Sequence, residues 1–227
     1  MIVSDTMATS AKTLVFMDLE ATGLNNDLPK ITEICLVAVH LSSLENLITD
    51  EDGQLELPRV LDKLCLCVDP GKPITGKASE ITGLSNTNLD KNEKQAFNPC
   101  LVHLINEFLN RQAQPVCLVA HNGFYYDFPL LKTELQKQEA SLSSALLCMD
   151  TVQVFRFLDK RVGKVGENGY SLEAIYRRTF KKDPINSHNA EGDVLALIMV
   201  FLSKADQILD TMSTNCKRWG EICPMYG

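Results

Sequence analysis

The chain has 227 residues, 45% of them hydrophobic and 22% charged, with a formal net charge of −7. That is enough for one domain with a substantial buried core. No apolar run approaches the roughly 18 to 20 residues that cross a bilayer. The opening MIVSDTMATSAK lacks the basic start and apolar stretch of a secretory signal, so the expectation is a soluble protein of the nucleus or cytoplasm. An acidic balance also argues against a passive nucleic-acid binder, which normally presents a basic surface. That objection weakens if acidic residues hold metal: removing four ligand carboxylates from −7 leaves −3.

In chain order, residues 13–20 (TLVFMDLE) read as a strand, apolar first and acidic at its end. Residues 31–41 and 60–68 read as two more, joined through a polar, acidic hairpin connection at 42–58. Three successive strands predict an antiparallel or mixed start to a sheet. Residues 93–111 then carry apolar positions at helical spacing (Phe97, Leu101, Leu104, Ile105, Phe108). A short buried strand follows at 115–120, a helix at 128–138, a strand at 146–149 and a helix at 171–180. Residues 194–202 (VLALIMVFL) would pass for a buried strand, but their length and the cap-type Ser187 and Asn189 before them favour a buried helix. The alternation predicts an α/β domain with helices covering a mixed sheet. Residues 1–12 are expected to form a flexible N-terminal segment and 13–227 a single domain.

Eight cysteines are scattered at 35, 65, 67, 100, 117, 148, 216 and 223 without a C-x-x-C pair. Cys65 and Cys67 would share one strand face, but no histidine or cysteine cluster with ligand spacing accompanies them. The set reads as reduced core cysteines. Residues 159–169 (DKRVGKVGENG) combine three glycines with Lys160, Arg161 and Lys164 and offer little to pack. They read either as a solvated surface loop or as a mobile basic arm reaching a phosphate backbone.

Three segments carry chemistry. Asp18 and Glu20 stand two apart at the end of the first strand, so both side chains share a face at a strand end of the kind where open α/β sheets bind ligands. Two such carboxylates repel unless a hard cation lies between them. Alone, the pair also fits a solvated strand edge. Asp127 opens a helix within the segment LVAHNGFYYDFPLL, where taken by itself it reads first as a helix cap. His188 lies in a polar loop and Asp193 in the first turns of the last apolar helix, a place where a carboxylate also complements the helix dipole.

Acid-x-acid at the first strand, an aspartate after the middle strand and His-x4-Asp before a late helix form an ordered pattern. It resembles that of the DEDDh exonucleases, and within them the three-prime repair (TREX-type) exonucleases of vertebrates. FMDLEATGL, ASEITGL, LVAHNGFYYDFPLL, YSLEAIYRR, SHNAEGDVLAL and the terminal PMYG carry the resemblance. It implies a ribonuclease H-like, DnaQ-like fold and a 3′→5′ DNA exonuclease. Asp18, Glu20, Asp127 and Asp193 would hold two Mg²⁺ ions, with Mn²⁺ able to substitute, and His188 would be the general base.

The same resemblance implies that Leu24 and Ile81 wedge against the terminal bases, that Tyr126 holds the scissile region and that Glu80 accepts from the 3′ hydroxyl. Read from the residues alone, Leu24 and Ile81 fit ordinary packing better. It further implies a homodimer joined along strand edges, for which the strand at 60–68 is the candidate. Three features depart from one branch of the family. Tyr125 stands where that branch carries arginine, residues 47–57 are acidic where it is proline-rich, and the hydrophobic extension that tethers that branch is not expected here. The shorter, untethered branch is the nearer match. An RNA exonuclease of the same fold and a non-catalytic nucleic-acid-binding protein are the competing readings; the second predicts loss of a carboxylate or the histidine, and all five are present.

Overall fold

The computed structural model describes residues 11–161 and 169–227. β1 (Thr13–Ala21), β2 (Ile31–His40) and β3 (Asp62–Cys67) form an antiparallel meander. β4 (Val116–Ala120) then pairs parallel to β1, and β5 (Leu147–Asp150) parallel to β4. A short β6 (Cys216–Arg218) closes the sheet antiparallel to β5. The order β3-β2-β1-β4-β5-β6 leaves β1 in the interior and β3 at an edge. Its hydrophobic β-branched strands and the mixed pairing match the sequence reading.

The helices are α1 (Leu41–Glu45), α2 (Gly76–Thr82), α3 (Asn86–Lys91), α4 (Pro99–Asn110), α5 (Asp127–Lys137), α6 (Thr151–Arg161), α7 (Leu172–Phe180), α8 (Ala190–Leu202), α9 (Ala205–Leu209) and α10 (Met212–Asn215). They cover both faces. α8 is the most completely buried, and it packs with α6 and α7 over the face carrying Leu14 and Phe16. The Phe16 and Phe201 rings meet edge to face at 5.2 Å, fastening β1 to α8. α4 and α5 cover the opposite face, which carries Val15, Met17 and Leu19. No helix among the described residues is long and apolar enough to cross a membrane.

Several boundaries differ from the sequence reading. α4 begins at Pro99, not at residue 93, because the residue before a proline is driven out of the helical region and Pro suits the first helical position. The hairpin connection holds the short α1 and then a Thr49–Leu55 bridge. The loop expected at 159–169 is helical through Arg161 as the last turn of α6, and Asp159 is buried, accepting from the Tyr170 hydroxyl at 2.9 Å. Residues 162–168 of that loop, Lys164 among them, lie outside the described residues, as do residues 1–10 of the N-terminal segment. Ala11 is already fully buried. The cysteines are all free, but only Cys35, Cys117 and Cys148 are buried; Cys65, Cys100 and Cys223 are exposed. Cys65 is exposed because β3 is an edge strand with a half-exposed burial pattern.

Candidate active site

β1 delivers Asp18 and Glu20 at its carboxyl end, both half-buried and separated by the inward-facing Leu19. Asp18 sits opposite Cys35 on β2, and Glu20 opposite Glu33. α8 brings Asp193 from the helix layer on the same face. The carboxylate oxygens of Asp18, Glu20 and Asp193 lie within 4.8 Å of one another. The ion pairs found among the described residues involve none of the three. Burial, together with the mutual repulsion of Asp127, Glu20 and Asp193, holds Asp18 well above the usual carboxylate range. Burial, then Asp193, Glu33 and Asp127, pushes Glu20 up to about 8. Burial also raises Asp193, and the His188 amide offsets part of that. Three hard oxygen donors crowded in this way fit a divalent cation.

Asp127 enters from the opposite face at the first turn of α5. It is buried and repels Asp18, yet it stands outside the tight group of three. Burial pushes it up to about 7, opposed by bonds from its own amide and that of Leu19. Tyr126, not Asp127, takes the position before the helix, so the capping role open to Asp127 is unused. The turn that presents this pair is fixed from beneath. Buried Asp150 accepts from the amides of Asn122 (3.0 Å), Phe124 (3.1 Å) and Val152 (2.9 Å). His121 donates from Nε2 to the Tyr170 carbonyl and meets Thr151 Oγ1 through Nδ1, both at 2.8 Å; its burial lowers its pKa below the usual histidine range.

His188 is exposed on the turn before α8, with a left-handed backbone (φ 64°). Its amide donates to Asp193 Oδ2 at 2.9 Å, so one carboxylate faces the cluster and also holds the histidine turn. Asn189 caps α8 by accepting from Gly192 at 3.1 Å. Glu33 accepts from the Ala190 amide at 3.0 Å, tying β2 to the same helix start. Gly192 is required there because a Cβ would collide with the Asn186 carbonyl.

Beside the cluster lies a cleft of about 540 Å³ whose lining includes Glu20, Leu24, Thr75, Lys77, Ile81 and Tyr126. Leu24 is 67% exposed and Ile81 44%, so neither is ordinary core packing. The Tyr126 hydroxyl donates to the Gly23 carbonyl at 2.6 Å. Glu80 is exposed on α2, one residue before Ile81, and does not line the cleft. Lys160 is exposed near the end of α6. Sequence reasoning missed Glu33, Asp150, His121 and Lys77. Asp150 had one available signal, a carboxylate at the end of a buried strand like Asp18.

A mixed sheet with an acidic cluster able to hold a divalent cation at the carboxyl end of its interior strand marks a nuclease of ribonuclease H-like architecture. Residues 15–201 match the RNase T family model, described as "Exonuclease", and the chain belongs to that family. It is 50% identical over 220 residues to three prime repair exonuclease 2 of Mus musculus, covering 95% of this chain and 93% of that one. It is 48% identical over 223 residues to three prime repair exonuclease 2 of Homo sapiens, covering 96% and 94%. Among solved structures, one titled "3′-end specific recognition of histone mRNA stem-loop by 3′-exonuclease" superposes with a TM-score of 0.65 at 13% identity, covering 90% of this chain and 66% of that one. At that identity the likeness is one of fold.

Proposed function

We propose that residues 13–227 form one exonuclease domain that shortens single-stranded or mismatched DNA from the 3′ end, releasing nucleoside 5′-monophosphates. The observation that carries this reading is the acidic cluster opening onto a cleft whose rim presents two exposed apolar side chains. The DNA preference rests on the likeness to two proteins named for repair.

Asp18, Glu20, Asp193 and Asp127 are the groups to hold two Mg²⁺ ions. Bound there, such ions would neutralise the carboxylates and the charge developing on the phosphate. Exposed His188 takes the proton of the attacking water as its oxygen bonds to the terminal phosphorus. The 3′ oxygen of the penultimate nucleotide leaves and is protonated from solvent. Leu24 and Ile81 stack against the last bases without reading their edges, as apolar platforms do. Tyr126 orders the backbone between them and Asp127. Glu80, exposed on α2 next to Ile81, accepts from the 3′ hydroxyl, and Lys160, Arg161 and Lys164 contact the phosphates upstream.

The edge position of β3 supports a homodimer joined there, because an unpaired strand edge is otherwise a template for uncontrolled pairing.

A 5′-labelled single-stranded DNA oligonucleotide incubated with Mg²⁺, beside EDTA and matched RNA controls, tests the proposal. A ladder shortening from the 3′ end, abolished by EDTA and much slower on RNA, is expected. Shortening of RNA alone overturns the substrate, and no cleavage of either polymer overturns the activity.

A further inference from the structure

The cleft beside the acidic cluster has two walls that are distant in sequence: the loop following β1, which carries Leu24, and α2, which carries Ile81. The Leu24 loop makes a short 3-10 turn at Asn25–Asp27 and leaves it at Leu28 in a left-handed conformation (φ 49°). Inside the loop, Asp27 Oδ2 accepts from the Leu24 amide at 2.8 Å. Gly23 lies so close beneath that a Cβ would stand 2.5 Å from the same oxygen. The conformation of Leu24 therefore follows wherever the 3-10 turn is held.

Lys72 holds it. Its Nζ donates to the Asp27 carbonyl at 2.8 Å and to the Leu28 carbonyl at 3.1 Å. These are the outward carbonyls at the end of the turn, where a cation is favoured. Among the described residues Lys72 has no carboxylate partner, so both donations go to the loop backbone. The mount of Lys72 is rigid in turn. Its carbonyl accepts from Asn86 Nδ2 at 2.8 Å, and Asn86 Oδ1 accepts from the Ile74 amide at 2.9 Å. Three residues after Lys72, the Thr75 amide donates to the Thr22 carbonyl at 2.9 Å, and Thr75 caps α2 by accepting from Ala78 at 3.2 Å. Ile81 follows within that helix.

We propose that Lys72 is a positioning residue that sets the width of the terminal-nucleotide cleft, stapling the Leu24 wall to the segment that leads into the Ile81 wall. It touches neither substrate nor metal; it acts by holding the Leu24 wall in place relative to the Ile81 wall. The inference rests on the exonuclease reading above and deepens it. The staple predicts a specific loss: without it, an end that offers a base to stack binds less well, while an end with nothing to stack is unaffected.

The test compares the wild-type protein with Lys72→Met, which keeps the alkyl stem, and Lys72→Arg, which keeps the charge and donors. Each is assayed on one single-stranded DNA oligonucleotide with a normal 3′ nucleotide and on the same oligonucleotide ending in an abasic residue. For the normal end, Lys72→Met is expected to raise KM about tenfold, the size of one lost base-stacking contact, with kcat changed less than about twofold. For the abasic end the two proteins should have the same KM, and Lys72→Arg should restore most of the difference. In a Leu24→Ala background, Lys72→Met should add little, because the wall it positions has lost its stacking group. An unchanged KM on the normal end, an equal rise on both ends or a fall confined to kcat overturns the staple. A wild-type protein that cuts neither DNA would instead sink the exonuclease reading itself.

Discussion

The carboxylates and the histidine of the site are mounted in opposite ways. Asp18 and Glu20 project from an interior strand, Asp127 and Asp193 from the first turns of two buried helices, one on each face of the sheet. His188 stands exposed on a turn, attached to this frame through one amide bond to Asp193. Groups that must hold like charges together need a mount that does not yield to repulsion. A group that must take a proton from water and give it back to solvent needs access instead. In the proposed reaction the frame concentrates charge, and the turn exchanges protons.

That division is broken most severely through Asp193, which serves both sides. Asp193→Asn keeps volume and an acceptor for the His188 amide but removes the ligand charge. Turnover is expected to fall about 10³-fold or more, since even outer-shell partners of a metal site are worth about 10–100-fold, with the thermal transition and circular dichroism preserved. Activity near the wild-type rate would sink the metal-site assignment. His188→Ala removes only the proton carrier, and its expected loss is about 10²–10⁴-fold. Titration with Mn²⁺ followed by calorimetry should show metal affinity unchanged; lost metal binding would mean that the histidine belongs to the frame.

The frame itself is sharpened by pH. Without metal, Glu20 is raised to about 8 and Asp127 to about 7. The folded protein thus retains protons that the unfolded chain releases above about pH 4.5. Their contribution to stability is full below that point and is lost as pH rises through about 8. Thermal melts in EDTA at about pH 5.5 and about pH 8.5 should show the alkaline sample melting lower, with excess divalent cation narrowing the gap. A metal-free protein equally stable at both would contradict the repulsion described here. The smallest effect lies outside the frame. Neutralising Lys160, Arg161 and Lys164 together should leave kcat intact and lower the salt slope of single-stranded DNA binding by up to about 2, at about 0.7 per phosphate contact. An unchanged slope would return these residues to a solvated surface.

What the sequence displayed follows from how each element earns its burial. β1, β2, β4 and α8 were legible because each carries an unbroken apolar run of several residues. The proposed catalytic set could be assembled from the sequence because its members follow one another in an order that resembles a known family. α2 and α3 were not: at 7 and 6 residues they are too short for apolar periodicity, and they are set by caps from Thr75 and Ser85. α6 was missed because it follows β5 without a break, and its basic end resembled loop. Lys72 was invisible for a different reason, since its partners are carbonyls, which every residue carries, 44 and 45 positions away.

The ring contact between Phe16 and Phe201 has a bearing on how the protein meets changes of medium. Phe16 lies two residues before Asp18, and Phe201 lies eight after Asp193, so an apolar joint fastens the two elements that carry those carboxylates. Dissolved salt screens charges at the surface within about 8–10 Å but does not loosen a packed core. Substrate capture should therefore vary with ionic strength while the spacing of the ligands stays fixed. In brine or in dilute buffer the enzyme would be the same instrument, differing only in how often it is reached.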